Sequence, residues 1–156
     1  MSKLNDQITP NDISYIIDNP WELTASEWEL HDKKIRNNSL SDIQNRLKLT
    51  SEDGYSKIWK TINDEPIAIL GGYKTGDKKY GTFFIASKHM KEHALKLSFD
   101  MRQILKEKSD DYKGYTLGLY SESEHPKQIT WFRFLGFKYK PDENSGNARY
   151  FEYTSR

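Results

Sequence analysis

The stretch Tyr115–Tyr139, YTLGLYSESEHPKQITWFRFLGFKY, decides the fold. It reads as a strand over Tyr115–Tyr120, a polar break, a helix over Pro126–Leu135 and a new strand from Phe137. Pro126 suits a first helical turn, where its missing N–H leaves no bond unmade. Gly136 stands where a helix closes with a left-handed residue. The following segment, Asn144-Ser145-Gly146-Asn147, has turn composition and leads into a last strand over Arg149–Thr154.

Working back from this stretch, Asp110–Gly114 is a loop, and Met90 to about Lys108 is the longest helix. Its apolar stripe is Leu97, Met101, Ile104 and Leu105, with Lys96, Asp100, Arg102 and Lys106 off the stripe. Before it, three apolar runs are predicted as strands: Tyr55–Ile62, with Ile58 and Trp59 as candidate core residues, then Pro66–Tyr73 and Tyr80–Ala86. Turns at Asn63–Glu65 and Thr75–Asp77 make these an antiparallel meander. Gly72 is expected at a bulge or bend. The first third reads as helical. Thr9 is an N-cap with Pro10 at the first helical position and Asp12 at the third. A second helix is expected from Thr24 to about Arg36, and a third opening at Ser39 or Ser41 and ending at Asp53-Gly54.

A strand, a long helix and a further strand imply a right-handed crossover and a locally parallel pair. The expected class is a mixed α/β fold, mainly antiparallel in its sheet, with flanking helices. It is read as one domain over residues 1–156: a helical N-terminal segment over 1–52, a meander over 55–86, a long helix over 90–108 and a β-α-β-β half over 115–154.

Composition bounds the function. The chain has 156 residues, 24 basic and 23 acidic, for a net charge of +1. That balance argues against nucleic acid as a partner. Cysteine is absent, which excludes disulfides and thiolate metal sites. No apolar run follows MSKLNDQ and none reaches 18 residues, so no signal peptide, no membrane partner and a cytoplasmic location are expected. The histidines are His31, His89, His93 and His125; His89 and His93 are spaced i, i+4 like metal ligands, but no glutamate follows His89 directly, no third ligand is indicated, and no metal is expected. No Walker, Rossmann or Gly-x-Ser-x-Gly pattern occurs.

The strand–helix–Leu-Gly-Phe order resembles the GCN5-related N-acetyltransferase (GNAT) fold, over about Tyr55–Thr154. Three pieces, Trp59–Gly72 (WKTINDEPIAILGG), Gly81–Leu105 and Ile129–Phe137 (ITWFRFLGF), also resemble the acetyltransferase-like small internal virion proteins of short-tailed bacteriophages. The first resemblance implies an acyl-coenzyme-A-dependent N-acyltransferase acting on an amine, with acetyl-coenzyme A as cosubstrate. The second implies a silent GNAT-like phage protein in the virion or the host cytoplasm, whose partners are phage or host proteins.

The resemblance also implies site residues. The thioester arm would run beside Phe84, Ile85 and Ala86, whose amides would polarise its carbonyl. The diphosphate would meet the start of the long helix, at Ser87, Lys88, His89, Lys91 and Ala94. The family places an Arg or Gln and two glycines here; this chain has His89, Glu92 and Ala94. A second reading stands beside this one: Ser87 caps the helix and the lysines are solvated. The family's thiolate-protonating tyrosine aligns with Phe132, which has no proton to give. Tyr120 and His125 are the substitutes the sequence offers. Glu122, beside Glu124, is the candidate base, because neighbouring carboxylates raise one another's pKa. The alternative is a solvated acidic loop.

Overall fold

The fold begins with a strand that sequence pattern does not signal. In the computed structural model, which describes residues 2–28, 30, 33–123 and 125–154, β1 (Ser2–Asn5) pairs antiparallel with β2 (Gly54–Thr61). β1 is polar and mostly exposed, so it has no alternation to read. Candidate residues His31 and Glu124 lie outside the described residues.

Helix α1 (Pro10–Asp18) starts as its sequence dictates. Thr9 Oγ1 accepts from the Asp12 N–H, and the Asp12 side chain accepts from the Thr9 N–H. This reciprocal box satisfies two otherwise orphaned donors. Ile13, Ile16 and Ile17 are buried at helical spacing.

The second helix departs from expectation. α2 covers only Glu22–Glu27, and α3 runs unbroken from Lys33 to Asp53. The expected opening at Ser39 or Ser41 is therefore corrected: both are interior to α3, and Ser39 is buried. Asn37, Asn38 and Ser39 are poor helix formers, but Leu40, Ile43 and Leu47 recur on one face and pack on the core, which outweighs local propensity.

β2, β3 (Pro66–Gly76) and β4 (Lys79–Ala86) form the meander. The second turn is Asp77–Lys78, not Thr75–Asp77, and Lys78 carries φ 56°. The ladder irregularity falls at Trp59/Lys60 rather than at Gly72. Gly72 sits in the regular ladder opposite Tyr55, and a Cβ there would come within 2.6 Å of the Tyr55 ring. A close ring, not a bend, makes glycine necessary.

α4 (Met90–Asp111) buries the expected stripe of Leu97, Met101, Ile104 and Leu105. β5 (Thr116–Ser121) is parallel to β4, pairing Lys79–Gly81 with Thr116–Gly118. α5 (Pro126–Leu135) ends at Gly136 with φ 114°, the left-handed cap expected of it. β6 (Phe137–Tyr139) and β7 (Arg149–Tyr153) close the chain as an antiparallel pair. Among the described residues the strands run in the order β1-β2-β3-β4-β5-β7-β6.

The contacts divide into two compact units, Met1–Tyr73 with Phe83–Ala94, and Lys74–Thr82 with Leu95–Arg156. The first is cored by Ile13, Ile16, Ile43, Ile58, Ile69 and Phe83. In the second, Leu117, Phe132, Phe137 and Phe151 are buried. Among the described residues no helix is long and apolar enough to cross a membrane.

Candidate functional site

In the first unit, β4 ends against the connector between α1 and α2. Ala86 N–H donates to Thr24 Oγ1 (3.0 Å), and Ala86 C=O accepts from Trp21 N–H (2.9 Å). Lys88 N–H donates to Asn19 C=O (2.8 Å), and Pro20 bridges Ser87 in antiparallel fashion. Phe84 meets Trp21 edge to face, with centroids 6.3 Å apart. α2 begins at Glu22 rather than at Thr24, whose hydroxyl lies inside the helix and serves β4.

Ser87 turns the chain into α4. It is fully buried, its Oγ donates to Pro66 C=O (2.6 Å), and its N–H donates to Ile67 C=O (2.7 Å). Its Oγ also accepts from His89 N–H (3.2 Å), and its C=O from Met90 N–H (2.9 Å). The five amides from Ala86 to Met90 thus all donate to acceptors within the protein, as buried backbone must. What the helix start offers an anion is charge: Lys88 and Lys91 are exposed, and the helix dipole is positive there. Glu92 is also exposed and opposes them, while Ala94 is half-buried behind it. The charges suit a diphosphate. The main chain from Ala86 to Met90 has its amides engaged within the protein, ahead of the first turn of α4.

His89 belongs to a cluster that spacing did not reveal. Its Nε2 lies 2.7 Å from the Tyr15 hydroxyl, which is also 3.0 Å from Glu65 Oε2. Glu65 Oε2 and His89 Nε2 are 3.7 Å apart. A phenol has one proton. It can satisfy both neighbours only by donating to Glu65 and accepting from an Nε2–H on His89. Burial first, and then the hydrogen bond and charge of Glu65, push the Tyr15 pKa up. Tyr15 is therefore a neutral phenol across the physiological range.

In the second unit, β5 passes into α5 through a chain of side-chain caps. Ser121 Oγ accepts from Ser123 N–H, and Ser123 Oγ accepts from His125 N–H, each at 3.2 Å. His125 Nδ1 accepts from Lys127 N–H (3.2 Å), so His125 is the N-cap of α5. Glu122 is exposed. Tyr120 is 53% exposed, and its hydroxyl reaches only a 3.5 Å contact with Glu143 C=O. Phe132 is buried, its ring 5.1 Å from that of Phe151. Burial, and then Glu152, Glu143 and Tyr120, push the Tyr150 hydroxyl up to about 12, so it holds its proton too tightly for ready donation at neutral pH.

The candidate residues thus fall into two sets. Phe84, Ile85, Ala86, Ser87, Lys88, His89, Lys91 and Ala94 form one continuous strand-to-helix segment. Tyr120, Glu122 and His125 form another, at the end of β5. Tyr15, Thr24 and Glu65 were missed, because they join the first segment from far away in the chain and no local motif marks them.

No family model matches the sequence, and no curated protein matches it. Solved structures do. The PaiA N-acetyltransferase from Thermoplasma acidophilum, in complex with coenzyme A, superposes with a TM-score of 0.66 at 15% identity, covering 99% of each chain. A GNAT-family acetyltransferase from Staphylococcus aureus gives 0.67 at 10% identity, covering 100% of both. The aminoglycoside acetyltransferase AAC(6')-Ib, also in complex with coenzyme A, gives 0.62 at 14%, covering 99% of this chain and 95% of that one. At these identities the likeness is one of fold, and the fold of this chain is that of the GNAT acetyltransferases.

Proposed function

We propose that this protein is an acyl-coenzyme-A-dependent N-acyltransferase, moving an acetyl group from acetyl-coenzyme A to an amine of a small molecule or a protein. The observation that carries the reading is the extent of the match: 99% of this chain aligns with 99% of an acetyltransferase bound to coenzyme A. In the transfer, the amine nitrogen bonds to the thioester carbon and the C–S bond breaks. The amine gives up a proton and the sulfur gains one. Lys88 and Lys91 are assigned to the diphosphate, aided by the positive end of α4, with Ser87, His89 and Ala94 shaping that turn. Phe84, Ile85 and Ala86 are assigned to the thioester arm. Glu122 is assigned the amine's proton, and Tyr120 or His125 the sulfur's.

A second reading has its own support. Glu92 in the first turn of α4, and a buried phenylalanine at position 132, favour a chain that keeps the fold without the chemistry. Its role would then be virion assembly or host interaction, as the phage-protein resemblance suggests.

Thermal melting with acetyl-coenzyme A separates the two. Binding at a hundredfold excess over Kd stabilises the folded state by about 2.7 kcal/mol. A melting temperature unmoved at millimolar acetyl-coenzyme A would remove the acyltransferase reading and leave the second.

A further inference from the structure

We infer that one face of β5 and β7 is a cation subsite, and that the acceptor it selects carries a second alkylammonium group besides the amine that reacts. The inference rests on the acyltransferase reading for the reaction and adds the class of acceptor. The subsite lies wholly within the second unit. Gly118 stands opposite Glu152 in the β5–β7 ladder, and Tyr120 opposite Tyr150. Alternation puts these four on one face of the sheet. The other face carries Leu119 and Phe151, and α5 packs there, with the Phe132 ring 5.1 Å from that of Phe151. Tyr120 and Glu122, to which proton transfers are assigned, follow Gly118 along the same chain segment, so a ligand held on this face lies beside them.

Tyr150 is the group that asks for a ligand. Its ring lies over Gly118: a Cβ at that position would collide with the phenol oxygen and the ring edge. The residue is only 7% exposed, yet its hydroxyl has no hydrogen-bond partner among the described residues. A buried tyrosine hydroxyl ordinarily finds a partner. One left without leaves room for a group from outside the chain. The ring itself is held by Gly118 beneath it and by Tyr120 beside it, centroids 4.9 Å apart. A phenol so fixed loses little freedom on binding.

Charge selects the ligand. Glu152 shares the face, and Glu143 ends the short turn Pro141–Glu143. Both act on the Tyr150 phenol through their charge, after burial. Neither makes an ion pair among the described residues, although Lys138 stands opposite Glu152 in the β6–β7 ladder. Tyr120, 53% exposed, offers the face of its ring, which attracts a cation. A phenol that keeps its proton can accept an ammonium N–H while donating to a carboxylate. Two carboxylates, a neutral phenol and an aromatic face make a donor set for an alkylammonium. That set also says which amine is bound. The reacting amine must be neutral when it attacks, and neighbouring carboxylates hold an ammonium in its charged form. The group on Tyr150 and Glu152 is therefore a second ammonium of the acceptor, while the reacting one turns to Glu122.

The test is an NMR titration of the full isotope-labelled chain at neutral pH without acetyl-coenzyme A. The probes are diaminobutane, a capped dilysine peptide, and butylamine as the monocation. At least one dication is expected to bind about tenfold or more tightly than butylamine, moving the amide signals of Gly118, Tyr120 and Tyr150. Which dication binds tells whether the second charge belongs to a small molecule or to a protein's neighbouring lysine. Glu152→Gln is expected to weaken the dication about threefold or more. Tyr150→Phe is expected to weaken it by a similar factor without lowering the melting temperature, because the hydroxyl bonds nothing within the described chain. Binding of neither dication, equal binding of butylamine, or no effect of Glu152→Gln overturns the proposal. The two readings fail separately. A chain that binds the dication but ignores acetyl-coenzyme A keeps the cation subsite and loses the acyltransferase, and the reverse result keeps the acyltransferase alone.

Discussion

The hydroxyl of Tyr15 and Nε2 of His89 stand 2.7 Å apart across 74 positions of sequence, with their rings stacked at an interplanar angle of 6°. The contact ties α1 to the start of α4, and Glu65 ties both to the turn before β3. His89 occupies the position that the family resemblance assigns to a diphosphate ligand. Its Nε2 serves the first unit's own packing instead.

Replacing Tyr15 with phenylalanine removes both hydrogen bonds and keeps the ring. Glu65 and His89 side chains are 44% and 19% exposed, so water takes the hydroxyl's place. The expected loss is about 1 kcal/mol in urea unfolding. His89→Ala should cost a similar amount, and the double variant less than the sum, by about 0.5 kcal/mol or more. Additive losses would show that the pair is not coupled.

Tyr150 sets a pH dependence. Its pKa is raised to about 12 in the folded protein, against 10.0 for an ordinary tyrosine. Between those values the folded state holds a proton that the unfolded chain has released, so stability falls as pH rises through that window. The contribution is intact below about pH 10 and is lost as the pH rises through about 12. Tyr150→Phe should flatten that stretch of the stability-versus-pH curve relative to the parent. Parallel curves would remove the assignment.

Gly72 answers to Tyr55. Gly72→Ala places a methyl 2.6 Å from the Tyr55 ring and should cost about 1–3 kcal/mol, read as a lower urea midpoint. Shortening the neighbour with Tyr55→Leu should recover some of that loss in the double variant. If it recovers nothing, the ring is not the reason for glycine.

Asp12 has two duties. It completes the α1 capping box and lies 3.1 Å from Lys60 Nζ, with its side chain 9% exposed. Thr9→Ala should cost about 1 kcal/mol. Asp12→Ala should cost more, about 2–3 kcal/mol, because it also strands a largely buried ammonium. Adding Lys60→Met should restore some of the difference, and its failure to do so would reduce Asp12 to a cap alone.

Glu92 lies in the first turn of α4, where a negative charge opposes a bound diphosphate. On the acyltransferase reading, Glu92→Gln should tighten acetyl-coenzyme A by roughly two- to fivefold in calorimetry, the scale of a charge at a helix terminus. Unchanged or weaker affinity would place the diphosphate elsewhere.

Much of the fold was legible because its signals are local. Thr9 with Asp12, Pro126 with Gly136, and the 97–101–104–105 stripe each report a helix from residues close to one another in the chain. β1 was not legible, since an exposed polar edge strand has neither alternation nor apolar content. The break expected before Ser39 was wrong because Leu40, Ile43 and Leu47 pack on Ile13 and its neighbours, and burial on α3 outweighs three poor helix formers. The candidate site was legible only in outline. That Phe84–Ala94 runs as one strand-to-helix segment follows from chain order. That Thr24 holds the Ala86 amide, and Tyr15 holds His89, does not.

From residue order alone came the class of fold and the parallel step from β4 to β5, since each depends on neighbours in the chain. Which main-chain amides are spoken for, which glycine faces a ring, and which apolar side chains α4 leaves in water were decided by folding. Those depend on atoms brought within about 3–5 Å from remote positions, the range over which hydrogen bonds and packing act.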